Sequence, residues 1–450
     1  MRRVAVLGLG RIGLPIALVL ADAGNLVYGV DVDQSLILSL KQGKAPMLEP
    51  KIKELINRNI GKRLKPLTLS DFNSEVVDDV DYLVICIGVG ILGNHVNVKP
   101  LLNLISDLAK RGYLNSKVLI LRTTIPLGLS DEVVKMLRSN YGLIESKDYY
   151  YSYVPERLAE GVAVDEEVML PKLVGVYTDE SFSLVKDLLS TYSKGRIVMV
   201  KPPTKAEFVK LLDNAWRNLI FGFANEVARL AESLGIDARE VIELANLDYP
   251  RNNIPMPGPV SGYCLSKDPL ILEASYSRLC PIRYSTSLWL HARLVNDEVI
   301  KHLAIKIVRG VEAVVRRKGK ALLLILGLSY KRDVDDFRFS HSITILNHVL
   351  GRVDLSRVNV SVHDPFINSN RYTKLPPNIR GRVTVVSDVY SAISESDIIA
   401  LLTNHSMYYR VAERVGDLVG KYVIDAWGVF RGICKKPSCV YDGLGVTTRE

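Results

Sequence analysis

The sequence predicts an α/β chain with two Rossmann-like doubly wound domains, joined by a long central helix and a helical dimerisation region. Three observations carry this. Short apolar strands alternate with helical segments from Val4 to Val200, and the alternation restarts at Ala321. Between the two stretches, Lys205 to Leu234 reads as one uninterrupted apolar-rich helix closed by Gly235. At 450 residues the chain is too long for one ordinary core. The division reads as 1–201, 202–316 and 317–450, with Pro202-Pro203 marking the first change of texture.

Composition bounds the function. Hydrophobic and charged fractions of 48% and 24% are those of a soluble globular protein. No apolar run approaches the roughly 20 residues that span a bilayer. The opening Met1-Arg2-Arg3-Val4-Ala5-Val6-Leu7 starts like a signal peptide, but Gly8 and Gly10 break it and no small-residue cleavage site follows. It reads as a first strand, and the chain as cytoplasmic, with no membrane partner. The five cysteines, Cys86, Cys264, Cys280, Cys434 and Cys439, are odd in number and scattered. That argues against a disulfide framework, and none has metal-ligand spacing. Cys434 and Cys439 are close enough for a local disulfide but read as two unpaired surface thiols. The net charge of +9 is dispersed. Its one cluster, Arg316-Arg317-Lys318-Gly319-Lys320, lacks interleaved aromatics and reads as a solvated helix end rather than a nucleic-acid patch. The charge also suits a polyanionic small ligand.

Val4–Leu7 is the first strand, followed by Gly8-Leu9-Gly10-Arg11-Ile12-Gly13 and an apolar helix Leu14–Ala23. Leu26–Val30 is the second strand, closed by Asp31. This is a dinucleotide fingerprint in its required strand–turn–helix context. Gly8, Gly10 and Gly13, with Arg11 and Ile12 between them, would bring backbone to a pyrophosphate at the helix N-terminus. Asp31 would accept from ribose hydroxyls and repel a 2′-phosphate, so NAD is expected over NADP. Further strands read at Asp81–Ile87, Val118–Leu121, Asp148–Tyr153, Leu173–Val176 and Ile197–Val200. Thr123-Thr124-Ile125-Pro126 and Val154-Pro155-Glu156-Arg157-Leu158 follow two of them, at the strand ends where such sheets bind ligands.

On the long helix, Glu207, Lys210, Asn214 and Asn218 recur at spacings of three and four and share a face. A solvated stripe is the plain alternative. Asparagine is a poor helix former, however, and is more often kept for a specific hydrogen bond. More helix follows at Ala238–Ala245 and at Ser287–Arg316. Between them, Pro257-Gly258-Pro259-Val260-Ser261-Gly262-Tyr263-Cys264-Leu265-Ser266-Lys267-Asp268-Pro269 reads as a loop that presents one cysteine. A buried structural cysteine is the alternative. The polar, turn-forming flanks and a lysine three residues on favour a reactive thiolate.

The second half has strands at Ala321–Leu326, Val358–Val362, Val383–Val386, Ile398–Leu402 and Tyr422–Ile424, and a helix at Ile343–Leu350. Gly327-Leu328-Ser329-Tyr330-Lys331 follows its first strand, and His363-Asp364-Pro365 follows its second. The plan echoes the first half without its glycine fingerprint, which suggests a domain built for another ligand.

These motifs, in this order, resemble the UDP-glucose/GDP-mannose dehydrogenase family essentially end to end, and most closely its branch acting on UDP-N-acetylhexosamines. The order continues through Asn225-Glu226, Tyr249-Pro250-Arg251, Gly262-Tyr263-Cys264…Lys267-Asp268-Pro269 and Asp335-Asp336…Arg338…Ser340. The resemblance implies an NAD domain, a helical dimerisation middle and a C-terminal UDP-binding domain in a homodimer. It implies a double oxidation of a UDP-sugar C6 alcohol to a carboxylate, best matched by UDP-N-acetyl-D-mannosamine, with UDP-glucose and UDP-N-acetylglucosamine as alternatives. By the same match Cys264 would be the nucleophile, and Lys210 and Asn214 would stabilise the oxyanion. Asp268 with Thr124 would hold a water, Thr124 also lining the cofactor, and Glu156 would be the general acid/base. Arg157, Leu158, Gly262, Tyr330, Lys331 and Arg338 would hold the nucleotide sugar, and Arg251 would reach the neighbouring subunit.

The chain departs from the family pattern at Ser261, where a glycine is usual, and at Tyr263, where the N-acetylhexosamine branch commonly has His. It departs again at Gly88-Val89-Gly90 and at Trp427, which follows Asp425-Ala426 where an arginine is usual. These positions bear on which sugar is used. A two-electron β-hydroxyacid dehydrogenase would share the NAD domain and the Lys/Asn pair but needs neither Cys264 nor a second α/β domain. A non-catalytic NAD sensor would need only Gly8 to Asp31.

Overall fold

The computed structural model describes residues 1–92, 95–281, 286–367, 375–416, 418–434 and 438–447. The chain divides into two compact units, Met1–Asp213 with Leu270–Ile282, and Asn214–Pro269 with Arg283–Glu450. The cut falls within the continuous helix Pro203–Leu234.

The first unit holds an eight-stranded sheet. Its strands are β1 (Arg3–Leu7), β2 (Leu26–Asp31), β3 (Leu64–Thr68), β4 (Tyr82–Ile85), β7 (Val118–Leu121), β8 (Tyr150–Tyr153), β9 (Lys172–Val176) and β10 (Ile197–Val200). A small hairpin of β5 (Gly90–Leu92) and β6 (His95–Asn97) stands apart from it. The sheet order is β10-β9-β8-β7-β4-β1-β2-β3. From β3 to β8 every pair is parallel, whereas β9 meets β8 antiparallel and carries β10 parallel to itself. Alternation along β1 feeds both faces: Val4 and Val6 enter one core, Ala5 and Leu7 the other. The sequence reading missed β3 because Pro66 interrupts it. Proline is tolerated there because β3 is an edge strand.

The second unit repeats the plan with β11 (Ala321–Leu326), β12 (Val358–His363), β13 (Thr384–Val385), β14 (Ile398–Leu401), β15 (Tyr422–Asp425), β16 (Val440–Gly443) and β17 (Val446–Thr447). The order is β13-β12-β11-β14-β15-β16-β17, parallel except for the last pair. Leu323 and Ile325 of β11 face one core, which includes apolar residues of the helix Leu288–Lys318; Leu324 and Leu326 face the other.

Two expectations need correction. The Cys264 segment is not a loop throughout: Tyr263–Leu279 is a helix with Pro269 inside it. Pro269 removes the amide that would bond the Leu265 carbonyl, and Arg293 Nη1 donates to that carbonyl instead at 3.4 Å. Cys434 and Cys439 are not surface thiols. They form a disulfide, both are buried, and their Cα atoms stand 5.3 Å apart, within bridging range. Among the described residues, no helix is long and apolar enough to cross a membrane.

Candidate active site

The candidate residues divide between the two units. In the first, the turn after β1 is closed by glycine geometry. Gly8 has φ +95°, and a Cβ on Gly13 would fall 1.8 Å from the Gly8 carbonyl oxygen. Neither position admits a side chain. A Cβ on Gly10 would meet nothing within 4 Å, so the backbone there is open to a ligand. The helix Gly13–Asp22 has no side-chain cap, so its N-terminal dipole faces the turn without one, although Leu14 N–H is taken by the Gly10 carbonyl at 3.1 Å and Pro15 has no N–H. Asp31 Oδ2 accepts from Leu9 N–H at 2.7 Å, and Oδ1 from Asp33 N–H at 3.0 Å. The acid at the end of β2 therefore also holds the glycine turn. Arg11 reaches Glu160 at 3.4 Å.

At the end of β7, Thr124 is buried beside Thr123, whose hydroxyl donates to the Ile87 carbonyl at 2.7 Å. After β8, Glu156 is buried. Its Oε1 accepts from Leu158 N–H at 2.7 Å and its Oε2 from Lys210 Nζ at 3.3 Å. Arg157 Nε donates to Asp213 at 2.8 Å. Thus Glu156, Arg157, Leu158 and Lys210 come together within this unit. Glu207 lies on the same helix face as Lys210 but turns elsewhere. Its carboxylate accepts from the amides of Gly128 and Ser130 at the start of the helix Leu129–Tyr141. Cys86, at the cradle floor, retains some solvent exposure yet is closely surrounded, and desolvation pushes its thiol up to about 12. It is thereby a poor thiolate near neutral pH.

In the second unit, Cys264 is half-buried in the first turn of its helix. Lys267 and Asp268 follow at three and four residues, so they share its face. Asp268 is fully buried; Oδ2 accepts from Asn214 Nδ2 at 2.6 Å. Its Oδ1 lies 3.3 Å from Lys267 Nζ, as an ion pair without hydrogen-bond geometry. Tyr263 is flanked by two cations, Lys267 Nζ 4.7 Å and Arg338 Cζ 5.5 Å from its ring centroid. Arg338 is also held by the Asp336 carboxylate at 2.7–3.0 Å. Gly262 has φ +92° and carries the Tyr330 ring so close that a Cβ would meet it at 2.3 Å. Lys331 is exposed on the same turn. Arg251 is exposed and stacks on Tyr249, 4.4 Å from the ring centroid, apart from the others.

The asparagines do make specific bonds. Asn218 Oδ1 accepts from Asn296 Nδ2 at 2.9 Å and from Arg293 Nη1 at 3.4 Å. Asn225 bonds Gly258 at both backbone groups, at 3.0 Å each. The stripe is buried, not solvated.

Comparison with known proteins gives the family. Residues 2–193 match the NAD binding domain of the UDP-glucose/GDP-mannose dehydrogenase family, 204–298 its central domain and 324–432 its UDP binding domain. The chain belongs to the UDP-glucose/GDP-mannose dehydrogenase family. It is similar to a UDP-N-acetyl-D-mannosamine dehydrogenase of Pyrococcus horikoshii, 29% identical over 98% of this chain and 99% of that one. It is also similar to an NDP-N-acetyl-D-galactosaminuronic acid dehydrogenase of Ralstonia nicotianae, 28% identical over 95% and 96%. The solved structure of a UDP-D-ManNAc dehydrogenase from Pyrococcus horikoshii superposes with a TM-score of 0.83 at 28% identity, covering 98% and 99% of the two chains. This member of the family is therefore an NAD-dependent UDP-sugar dehydrogenase, an oxidoreductase. The open Gly10 and closed Gly13 fit its cofactor.

Sequence reasoning missed several residues around Cys264. Arg293 and Asn296 carried no motif signal. Ser261 and Trp427 were visible only as departures. His341, a lone histidine, carried no signal at all.

Proposed function

We propose that this dehydrogenase oxidises the C6 alcohol of UDP-N-acetyl-D-mannosamine to the carboxylate, through a covalent adduct on Cys264. The observation that carries the reading is one helix face bearing the Cys264 thiol, Lys267 and Asp268, with Asn214 bonded to the Asp268 carboxylate at 2.6 Å. The manno substrate is supported by the name of the Pyrococcus horikoshii relative.

NAD, when bound, accepts a hydride in each of the two oxidations. Gly8, Gly10, Arg11, Ile12, Gly13, Asp31 and Thr124 would hold it. Cys264 sits in the first turn of a helix, where the backbone dipoles favour a thiolate. That thiolate would add to the C6 aldehyde, with the carbonyl electrons moving to oxygen, where Lys210 and Asn214 stabilise the charge. Once the carbon has lost its hydride, the thioester is opened by a water held by Asp268 and Thr124. Glu156 takes the water's proton, and Cys264 leaves as a thiolate. Arg157, Leu158, Gly262, Tyr330, Lys331 and Arg338 would hold the nucleotide sugar, and Arg251 would serve a neighbouring subunit's site.

On this reading residues 1–201 hold NAD, 202–316 form the dimer and carry the cysteine, and 317–450 hold the uridine diphosphate. The dimer is supported by the apolar side chains left exposed on the long helix, among them Trp216 at 61% and Phe223 at 56%. The deciding experiment offers UDP-N-acetyl-D-mannosamine, UDP-N-acetylglucosamine, UDP-glucose and their galacto forms with NAD, and follows NADH absorbance and the acid product. Turnover of UDP-glucose with refusal of every N-acetylated sugar would overturn the substrate assignment.

A further inference from the structure

We propose that Ser261 and His341 form a positioning pair that fixes where the Cys264 segment begins, an inference that rests on Cys264 being the nucleophile. Ser261 precedes the cysteine by three residues. Its Oγ stands 2.7 Å from His341 Nδ1 and accepts the His341 backbone N–H at 2.9 Å. His341 is the first residue of the helix His341–Leu350 and is buried.

The proton positions follow from the partners. His341 Nε2 lies 2.8 Å from the Leu402 carbonyl oxygen, which can only accept. Nε2 therefore carries the hydrogen, Nδ1 is the acceptor, and the Ser261 hydroxyl donates to it. Every side-chain polar atom of the pair is satisfied in one arrangement, which makes it a rigid tie. The same Leu402 oxygen accepts from Trp427 Nε1 at 2.8 Å. The Trp427 ring lies against Gly258, where a Cβ would meet it at 2.5 Å.

The tie is one of several on this short stretch. Gly262 N–H donates to the Phe339 carbonyl at 3.1 Å, and the Tyr330 ring covers Gly262. Phe339 itself holds φ +52°, a conformation a bulky residue keeps only where its surroundings impose it. Residues 258–262 are thus pinned at Gly258, at Val260, whose carbonyl accepts from Arg293 Nη2 at 3.3 Å, and at Ser261 and Gly262, and the cysteine helix starts at the next residue. Ser261 and Trp427, two of the positions where the chain departs from its family's usual residues, meet through His341 and one carbonyl oxygen. His341 is buried beneath the stretch, so it acts on the reaction through Ser261 and not by touching substrate. Small misplacements of a nucleophile cost large factors in rate.

The test compares wild type, Ser261→Ala, Ser261→Thr, His341→Gln, the Ser261→Ala/His341→Gln double variant and Cys264→Ser. Acid formation is measured with UDP-N-acetyl-D-mannosamine and UDP-glucose, alongside NAD affinity and thermal melting. Ser261→Ala removes both the bond to His341 Nδ1 and the one from the His341 N–H, so it is expected to lower kcat roughly fivefold to a hundredfold, the worth of two net hydrogen bonds, while KM for the sugar and NAD affinity stay within about twofold. Ser261→Thr, which keeps the hydroxyl, is expected to restore kcat. The double variant is expected to be no slower than the slower single variant, because both remove the same bond. Wild-type kcat in both Ser261→Ala and His341→Gln, or fully multiplicative losses in the double variant, would overturn the pairing while leaving an inactive Cys264→Ser in place. Near-normal acid formation by Cys264→Ser would instead remove the nucleophile assignment, and the positioning role with it.

Discussion

Asn214 Nδ2 donates to Asp268 Oδ2 across 2.6 Å, and neither side chain is more than marginally exposed. Asn214→Asp would set two carboxylates against each other in that buried place. We expect about 2–3 kcal/mol of lost stability near neutral pH. Part of it should return on acidification, because one of the two carboxyls has its pKa raised and takes a proton. Denaturant melts at pH 7 and pH 5 check this; equal losses at both would refute it.

Asp31 should make the enzyme prefer NAD. A 2′-phosphate beside its carboxylate costs on the order of 1 kcal/mol or more, or about tenfold discrimination. Because Asp31 also accepts from Leu9 N–H, Asp31→Ala should weaken NAD itself while narrowing the preference. Steady-state kinetics with both cofactors decides; an unchanged ratio would count against the assignment.

The covalent route predicts two NADH and one carboxylate per sugar, with little free aldehyde. Cys264→Ser should lose acid formation almost wholly while keeping NAD binding, since a hydroxyl is far harder to ionise. Glu156→Gln should let the thioester accumulate, visible in intact-protein mass spectra. One NADH per sugar in the wild type would return the chemistry to a simple two-electron oxidation.

Phe208, Leu212, Trp216, Phe223, Leu230 and Leu234 are all more than 40% exposed on the long helix. A face of this kind resembles a core cut in half. Light scattering should give a dimer at assay concentrations, and Phe223→Glu should shift it toward monomer. An active wild-type monomer would exclude the dimer reading.

His341 supplies a pH prediction. Burial lowers it from 6.5 to about 4, so between those values the unfolded chain binds a proton that the folded one refuses. Its contribution is complete above about pH 6.5 and is lost as pH falls toward 4, by about 3 kcal/mol in all. Melting temperature should therefore fall less steeply from pH 7 to pH 4 in His341→Gln than in wild type.

Much of this fold was legible in the sequence, for physical reasons. Val118–Leu121 and Ala321–Leu326 are strands to the residue, because continuous apolar runs suit the interior of a sheet covered on both faces, and Ile197–Val200 matches as well although it is a partly exposed edge strand. The buried asparagine face was legible because Asn is costly in a helix without a partner. The start of the cysteine helix was not, since Gly262 and Pro269 carry the local signature of a loop. What offsets the proline is Arg293, distant in sequence. Glu207 drew notice for its spacing, but its partners, the amides of Gly128 and Ser130, are backbone groups that no sequence pattern advertises. The pairing of Cys434 with Cys439 depended on a Cα separation that spacing alone leaves open.

An acid ends the second strand of the first sheet and another directly follows that of the second, and the two have opposite fates. Asp31 takes two backbone amides and keeps an open side. Asp364 is buried and accepts from the amides of Leu328, Ser329 and Phe366, with His405 Nε2 3.2 Å away. Buried, with four donors on Oδ2, the Ser329 hydroxyl among them, this carboxylate is not presented to a ribose as Asp31 is. Ser329→Gly would therefore not convert the second half into another dinucleotide cradle. The turn after β11 is filled by the buried Asp364 carboxylate where the turn after β1 is open at Gly10, so the two halves of one architecture are not interchangeable.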